Sequence, residues 1–531
     1  MAVSNPYPST ELLRAILILL LSFILLPLST AIVAYHGIKS RLRETFRSRK
    51  PAFRQKFLLT DASSPEGLAI ARILKSAGHQ VVVANGADEK FALGVRLSRA
   101  VNKHYNLRSL FTSAWSIRNG VERIRYAIAR IRGQGLSFAL NHKQKNGNGK
   151  QRLAGIVRKE APDLLIPCGS VRSDFTISPY VRHAGTLEQC QLFYPKEALP
   201  EAHTLDQILS NMDTSIRAPL NRRVTTRAQI HKILAGSAGT GKRYILEREG
   251  ELDQSVILPR ATLNQTYQTI ADIRVSPSQP WSLREVIHGK LYTAHCLAVD
   301  GALKAFVAGT NPKKTLYDST KEPRPSQSDH TLRLLRPEDP LHGSMLSFCK
   351  GFASAIGSDL SGHLSVWFCA SEVAEKDGSR TTVHALDYCI SPHATLAVLS
   401  DKNAVADVYV KAASNPSIGV KSADAVAMVN GFNHEDDVIT QTSDVTGTYS
   451  LPATVIDEVL IPLVHLTLLR GSTAQVLQGL STLIERLTFW QEQTWDKRDP
   501  WPSWIYWHIE YPWHALQSAL SGARRGKQLF G

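Results

Sequence analysis

A run of 21 residues without a charged side chain, from Ala15 to Tyr35, constrains the chain more than any other feature of its sequence. A helix of this length is about 31 Å long, which is enough to cross the hydrocarbon core of a bilayer. Pro27 lies inside the run, and membrane helices tolerate proline. The alternative is a cleaved signal peptide, but the run is long for one and only Glu11 and Arg14 carry charge before it. We predict a transmembrane helix over residues 15–35.

The charges that follow this segment predict its orientation. Cytosolic flanks of membrane helices are enriched in Lys and Arg. We therefore expect residues 1–14 to be non-cytosolic, 36–54 to be a basic linker, and the body up to residue 531 to lie in the cytosol. The six cysteines form no CxxC pair, which fits a reducing compartment. The basic residues of the flank are Lys39, Arg41, Arg43, Arg47, Arg49 and Lys50.

After the linker, the pattern is that of a βαβ unit. The apolar stretch Lys56–Thr60 predicts a strand, 68–77 has apolar residues at helical spacing before Gly78, and 80–84 predicts a second buried strand. Such a unit implies a parallel sheet. A dinucleotide-binding enzyme is the obvious functional reading. However, the turn 61–67 lacks the first two glycines of GxGxxG, so close approach of a pyrophosphate is unsupported.

A glycine-rich segment, 236–242, resembles a P-loop. Its Lys242 is followed by Arg243, where a Ser or Thr should hold magnesium, and Tyr244 then begins a predicted strand rather than a helix. We interpret the segment as a flexible hairpin loop.

Positive charge is concentrated between Arg96 and Lys159, with fifteen Lys or Arg residues and one acid, Glu122. Residues 97–150 have a helical pattern, and 141–150 predicts a solvated loop. A stretch of this density could contact nucleic acid or an anionic membrane surface. No nucleic-acid motif accompanies it, so we expect no nucleic-acid partner.

The C-terminal segment is rich in tryptophan. Six of the nine tryptophans fall within 24 residues, from Trp490 to Trp513. Tryptophan favours membrane interfaces, yet aromatic residues are more often part of a packed core. We expect this segment to pack on the body.

Several segments are similar to the fungal ATP-grasp proteins of specialised-metabolite clusters, including the fumisoquin type. The resemblance covers about residues 55–530, and its motifs are moderately specific. The segments are Tyr244–Arg248 (YILER), Leu258–Arg260 (LPR), Pro280–Gly289 (PWSLREVIHG), Tyr292–His295 (YTAH), Asp300–Ala308 (DGALKAFVA), Gly362–Phe368 (GHLSVWF), Cys389–Val398 (CISPHATLAV), and Arg498–Pro502 (RDPWP) with Tyr506 and Tyr511–Trp513.

The resemblance implies an ATP-dependent ligase that activates a carboxylate as an acyl phosphate for attack by an amine. Lysines hold the phosphates, and hard oxygen ligands hold magnesium. Glu285 stands where the family places the acid next to the adenine. His393 stands at the family's phosphate-facing arginine, and we weigh a catalytic role for it against that of a neutral core histidine.

Other positions depart from the family. Glu247 replaces its phosphate-binding lysine, and Leu291 replaces its ribose-binding acid. At the metal positions stand Trp367, Cys389 and Ser391, and an indole or a thiol is a poor ligand for a hard cation. Two residues could compensate for these changes. Asp387 shares a strand face with Cys389 and could substitute as a metal ligand. Arg248 could replace the phosphate-binding lysine only if the strand register slips, because it would otherwise face away from Glu247.

The sequence thus predicts an α/β chain of five folded segments. After the helix, we expect a Rossmann-like pre-ATP-grasp domain, two ATP-grasp α+β subdomains, and a helical Trp-rich tail over 55–205, 206–300, 301–450 and 451–531 respectively. One functional hypothesis is a membrane-anchored carboxylate–amine ligase of small-molecule specialised metabolism, which uses ATP and Mg²⁺. The other is an inactive pseudoenzyme that acts through partners and needs neither.

Overall fold

The computed structural model shows a mixed α/β chain, as predicted. It describes residues 8–45, 55–85, 93–107, 146–168, 190–195, 208–209, 212, 215–237, 239, 241–248, 255–312, 317–318, 331–375, 378–414, 438–442 and 444–517.

An apolar helix, α1 (Pro8–Thr45), opens the described part of the chain. Ala15–Leu42 is long and apolar enough to cross a membrane, and it is the one such helix among the described residues. A signal sequence passes the same test of length and composition. The helix is longer than the predicted 15–35, because Lys39 and Arg41 continue it rather than beginning a linker.

A parallel five-stranded sheet follows, as the βαβ pattern predicted. Its strand order is β3-β2-β1-β4-β5. Helices and the eight-stranded sheet described below cover its two faces, which explains why its strands are continuous apolar runs in the sequence. Its strands are β1 (Lys56–Thr60), β2 (Gln80–Asn85), β3 (Lys103–Asn106), β4 (Leu164–Pro167) and β5 (Gln191–Leu192), and its helices are α2 (Pro65–Ser76), α3 (Leu93–Arg96) and α4 (Asn146–Glu160).

In this region two local predictions were wrong, and one predicted helix begins earlier than expected. Helix α2 begins at Pro65 rather than at residue 68, because the Ser64 side chain caps it by accepting from the Gly67 amide. Lys103–Asn106 is a strand inside the stretch predicted as helical, since its backbone pairs with β2. Helix α4 begins at Asn146, within the predicted loop. Residues 108–145, which hold most of the basic stretch, lie outside the described residues.

Glu160, at the end of α4, ties that helix to the sheet. Its carboxylate lies 3.0 Å from Lys103 Nζ and 3.5 Å from Lys56 Nζ, and it accepts from the Tyr105 hydroxyl at 2.5 Å. The Tyr105 hydrogen bond, aided by Lys103, lowers the pKa of Glu160 from 4.5 to about 2.

We expect this carboxylate to make stability depend on pH. Because the folded-state pKa is depressed, its contribution is complete above pH 4.5 and is lost as pH falls towards about 2. Glu160→Gln should therefore unfold more easily near neutral pH and lose less stability than the wild type between these two values. Thermal melts of both proteins between pH 4.5 and about 2 give the change of stability with pH for each protein. An equal change in the two proteins would show that Glu160 does not contribute to the pH dependence of stability.

The second sheet is antiparallel and four-stranded, in the order β6-β9-β7-β8. Two helices cover one face around Tyr244, Trp281 and Leu283. The segment 236–242 joins α5 to β7, so it is not the predicted hairpin loop; no P-loop helix follows it either. The elements are β6 (Asn221–Val224), α5 (Arg227–Gly236), β7 (Tyr244–Arg248), β8 (Ser255–Leu258), α6 (Leu263–Asp272) and β9 (Trp281–Glu285).

The third sheet has eight strands and is antiparallel except for its last pair. Helix α7 covers one face with Met345, Phe348 and Phe352. The elements are β10 (His288–Val299), β11 (Ala302–Thr310), β12 (Tyr317–Asp318), β13 (Leu332–Leu334), α7 (Pro340–Ile356), β14 (Gly362–Glu375), β15 (Gly378–Cys389), α8 (Lys402–Ala413), β16 (Gly447–Tyr449) and β17 (Trp490–Glu492).

The predicted boundary at residue 300 falls in the turn between β10 and β11, which pair with each other. Strand pairing therefore separates the second and third sheets between Glu285 and His288.

The C-terminal segment is helical apart from β17, which joins it to the third sheet. A π-helical turn, Val455–Leu460, connects its first two helices, and another, Tyr506–Glu510, extends the last one into residues 511–517. The helices are α9 (Leu451–Thr454), α10 (Ile461–Thr467), α11 (Thr473–Phe489) and α12 (Trp501–Ile505).

The tryptophans of this segment pack against α1. Trp504 Nε1 donates to Thr30 Oγ1 at 3.0 Å, and the ring of Trp495 meets that of His36 at 5.7 Å between centroids. His508 hydrogen-bonds both Ser22 and Ser29, at 2.9 and 2.7 Å. The tail and the apolar helix thus form one layer.

Candidate functional site

The predicted adenine-site acid, Glu285, lies where the second sheet passes into the third. Lys242 Nζ, at the end of the glycine-rich segment, is 2.9 Å from Glu285 Oε1. The Leu220 amide donates to the other carboxylate oxygen at 3.2 Å. Burial lowers the pKa of His384 on β15, and the negative charge of the nearby Glu285 opposes this effect. Glu285 is thus fixed at the junction of the two sheets.

Glu247, at the predicted phosphate-lysine position, pairs with Arg284 of the neighbouring strand at 3.1 Å. This ion pair neutralises the reversed charge within the sheet. The register of β7 on β9 is regular from Tyr244 to Arg248, so Arg248 lies on the opposite face from Glu247. In the geometry shown, Arg248 therefore does not take over the lysine position.

One face of the third sheet collects most of the remaining predicted positions. On this face, Thr293, Trp367 and Asp387 lie opposite one another on β10, β14 and β15, and His295, Ser365 and Cys389 form the next row. Leu291 and Cys369 form a third pair on the same face. The sheet register thus brings Leu291, Trp367, Asp387 and Cys389 together.

Leu291 is buried with Ile287 and Cys369 in a small apolar cluster. A ribose hydroxyl needs a polar partner there, and the Leu291 side chain offers none.

His295, in the same row as Ser365 and Cys389, stacks on His393. The rings of His295 and His393 are parallel within 3°, with centroids 3.7 Å apart. His295 Nδ1 lies 2.8 Å from Ser365 Oγ, which in turn lies 3.4 Å from the Ser391 carbonyl. Burial lowers the pKa of His295 to about 3, so this ring is neutral at physiological pH.

His393 has a structural role in this arrangement. Its Nδ1 accepts from the Thr395 amide at 3.2 Å and caps the 3₁₀ helix Ala394–Val398. The ring is buried against His295, which favours the core-histidine alternative over the catalytic one.

The side chains at the predicted metal positions do not fit magnesium. Cys389 is buried, its pKa is raised to about 12 by burial, and its Sγ lies 3.6 Å from Ser391 Oγ. Trp367 contributes a buried indole. Asp387 supplies one carboxylate, whose Oδ1 accepts from the Tyr388 amide at 2.8 Å. Among the described residues, no three His, Cys, Asp or Glu side chains form a group that could hold a metal.

The sequence-based reasoning missed three members of this region. Lys242 was noted only as the end of a rejected P-loop, and Arg284 and His295 only as parts of quoted segments. The available signal was opposite charge: Glu247 and Arg284 lie in segments that were both predicted to belong to the subdomain 206–300.

No family model matches the chain, and no curated protein sequence matches it. Among solved structures, N5-carboxyaminoimidazole synthetase from Staphylococcus aureus is similar at 9% identity, with 69% of this chain and 79% of that one covered and a TM-score of 0.40. The L-amino acid ligase from Bacillus licheniformis is similar at 10% identity, with 69% of this chain and 75% of that one covered and a TM-score of 0.37. Biotin carboxylase from Campylobacter jejuni is similar at 8% identity, with 70% of this chain and 73% of that one covered and a TM-score of 0.42.

Proposed function

We propose that this chain is a membrane-attached pseudoenzyme of the ATP-grasp type, which acts through binding and does not transfer phosphate from MgATP. The carrying observation is that Trp367 and Cys389 bury an indole and a thiol, and Ser391 only a neutral hydroxyl, at positions where the resemblance implies acidic and amide oxygen ligands. The Glu247–Arg284 pair adds to it, because Arg284 neutralises an acid rather than a phosphate. The family part of the proposal rests on the sequence resemblance.

Membrane attachment through α1 is part of the proposal, with the body in the cytosol. Ser22, Ser29, Thr30 and His36 of α1 contact the C-terminal segment in the folded chain. A cleaved signal peptide has no need of such partners, so these contacts support retention of the helix.

A second candidate is the carboxylate–amine ligase of small-molecule metabolism, which would take a substrate carrying a carboxylate or an amine. Glu285 favours it, because this acid is held by Lys242 and the Leu220 amide where the resemblance places the adenine.

Titration calorimetry of the full chain with ATP distinguishes the two candidates. The pseudoenzyme predicts that ATP affinity is weak and equal with Mg²⁺ or with EDTA, and that no magnesium-dependent turnover occurs. The ligase predicts magnesium-dependent binding that Glu285→Ala weakens by about 1.5–3 kcal/mol, since a hydrogen bond to a charged group is lost. Glu285→Gln, which keeps the side-chain shape, is the matched variant. Magnesium-dependent turnover by the wild type would refute the pseudoenzyme.

A further inference from the structure

Helix α11 packs on the protein through a side whose fully buried residues are not its large apolar ones. Gly479 and Arg486, seven residues apart, are its buried residues. Arg486 donates to Thr454 Oγ1 at 2.8 Å and to Glu458 Oε1 at 3.4 Å. In a water-soluble helix the apolar stripe faces the core. Here the two fully buried residues are a glycine and a charged residue, and the half-buried Val476 and Leu483 lie beside them.

The apolar stripe of α11 faces outwards instead. Leu477, Leu480, Ile484 and Leu487 recur at helical spacing and are exposed, Ile484 by 64%. At the preceding turn, Leu468 and Leu469 are also exposed, Leu469 by 93%. An exposed apolar stripe of four residues on one helix marks a surface that an apolar partner covers.

Helix α1 also has an exposed apolar side. Small and hydroxyl-bearing residues, including Ser22, Gly37 and Ser40, are buried against the body together with Ile18 and Val33, and small residues of this kind are common where helices pack within a membrane. The Arg99 guanidinium donates to the Gly37 carbonyl at 2.8 Å and to Ser40 Oγ. Large apolar residues on the other side are exposed, with Phe23 at 81%.

The contacts of α1 with the body extend from Ser22 to Ser40, which is about 27 Å along the helix axis. Over this length α1 does not stand free of the protein. The π-helical turn Val455–Leu460 contacts both α1 and α11, so the two helices flank one segment. Wherever α1 enters a bilayer, the C-terminal helices that line it must enter as well.

We propose that the outward faces of α1 and α11, with the Leu468–Leu469 turn, form one membrane-embedded surface that we name the lipid face. The chain is then held by a helical layer rather than suspended from a single helix. The occupant is lipid, because α11 packs on the same segment, Val455–Leu460, as a helix that is itself apolar and long enough for a membrane. This inference rests on the proposed membrane attachment through α1.

Lipid quenching tests the lipid face on the full chain. An environment-sensitive maleimide dye is placed on Ile484→Cys, Phe23→Cys or Gln478→Cys, and each protein is reconstituted in phosphatidylcholine vesicles with plain or brominated acyl chains. The six native cysteines are buried, and the wild type serves as the labelling blank. Gln478 is exposed on α11 roughly 120° around the helix from Ile484, so it is the matched control.

Brominated lipid should quench the dyes at positions 484 and 23 to a similar extent and leave the dye at 478 bright. Quenching at 23 without quenching at 484 overturns the lipid face while the attachment through α1 stands. A cross-link between two Ile484→Cys chains would then identify a second copy as the occupant. Absence of quenching at both positions overturns the attachment and the lipid face together. Equal quenching at 478 and 484 overturns the one-sided surface.

Discussion

Gly479→Ala should detach α11 from the rest of the C-terminal helices. A Cβ at this position would meet the Glu458 carbonyl oxygen at 1.6 Å, and that oxygen belongs to the backbone, so no side-chain movement relieves the clash. Overpacking of this kind costs typically about 1–3 kcal/mol, and we expect the upper end of that range. Arg486 would also lose its hydrogen bond to Thr454, because both contacts lie on the same side of α11.

The measurement is the thermal midpoint in detergent, with Gly155→Ala as the control. Gly155 lies in α4, and a Cβ there meets nothing within 4 Å. That variant should gain about 0.5–1 kcal/mol, since alanine is the better helix former. A Gly479→Ala protein as stable as the wild type would mean that α11 does not pack through Gly479.

The βαβ opening could be predicted because its strands are buried on both faces. Leu58 and Val82 face one side of the parallel sheet and Leu59 and Val83 the other, which leaves a continuous apolar run in the sequence. Strand β3 was missed because Lys103–Asn106 is short, polar and only partly buried at the sheet edge. Its strand conformation comes from backbone pairing with β2, which no local pattern reveals.

Alternation within strands correctly placed Asp387 and Cys389 on one face of β15, but it could not show what covers that face. The stacking of His295 on His393 joins residues 98 positions apart, so it depends on the register of three strands and on the chain after β15. Periodicity likewise gives the apolar stripe of α11. It does not tell which side of the helix the protein covers.

Introducing at four positions the residues that the resemblance implies should create magnesium binding, which we expect the wild type to lack. The combined variant is Glu247→Lys, Trp367→Asp, Cys389→Glu and Ser391→Asn. Because Trp367, Cys389 and Ser391 are buried, each new carboxylate without a cation should destabilise the fold by about 3–5 kcal/mol.

Mg²⁺ should recover that loss by providing the missing counter-charge, so the thermal midpoint should rise with Mg²⁺ in the combined variant and stay constant in the wild type. ATP affinity, measured by calorimetry, should rise in parallel. Single reversions should do little, since groups that act as a unit are strongly non-additive. A wild-type chain that binds MgATP tightly and forms an amide at an ordinary enzymatic rate would contradict the pseudoenzyme. Asp387 and Arg248 would then be the relocated catalytic groups, and Arg248 could reach the Glu247 face only through a shift in the register of β7.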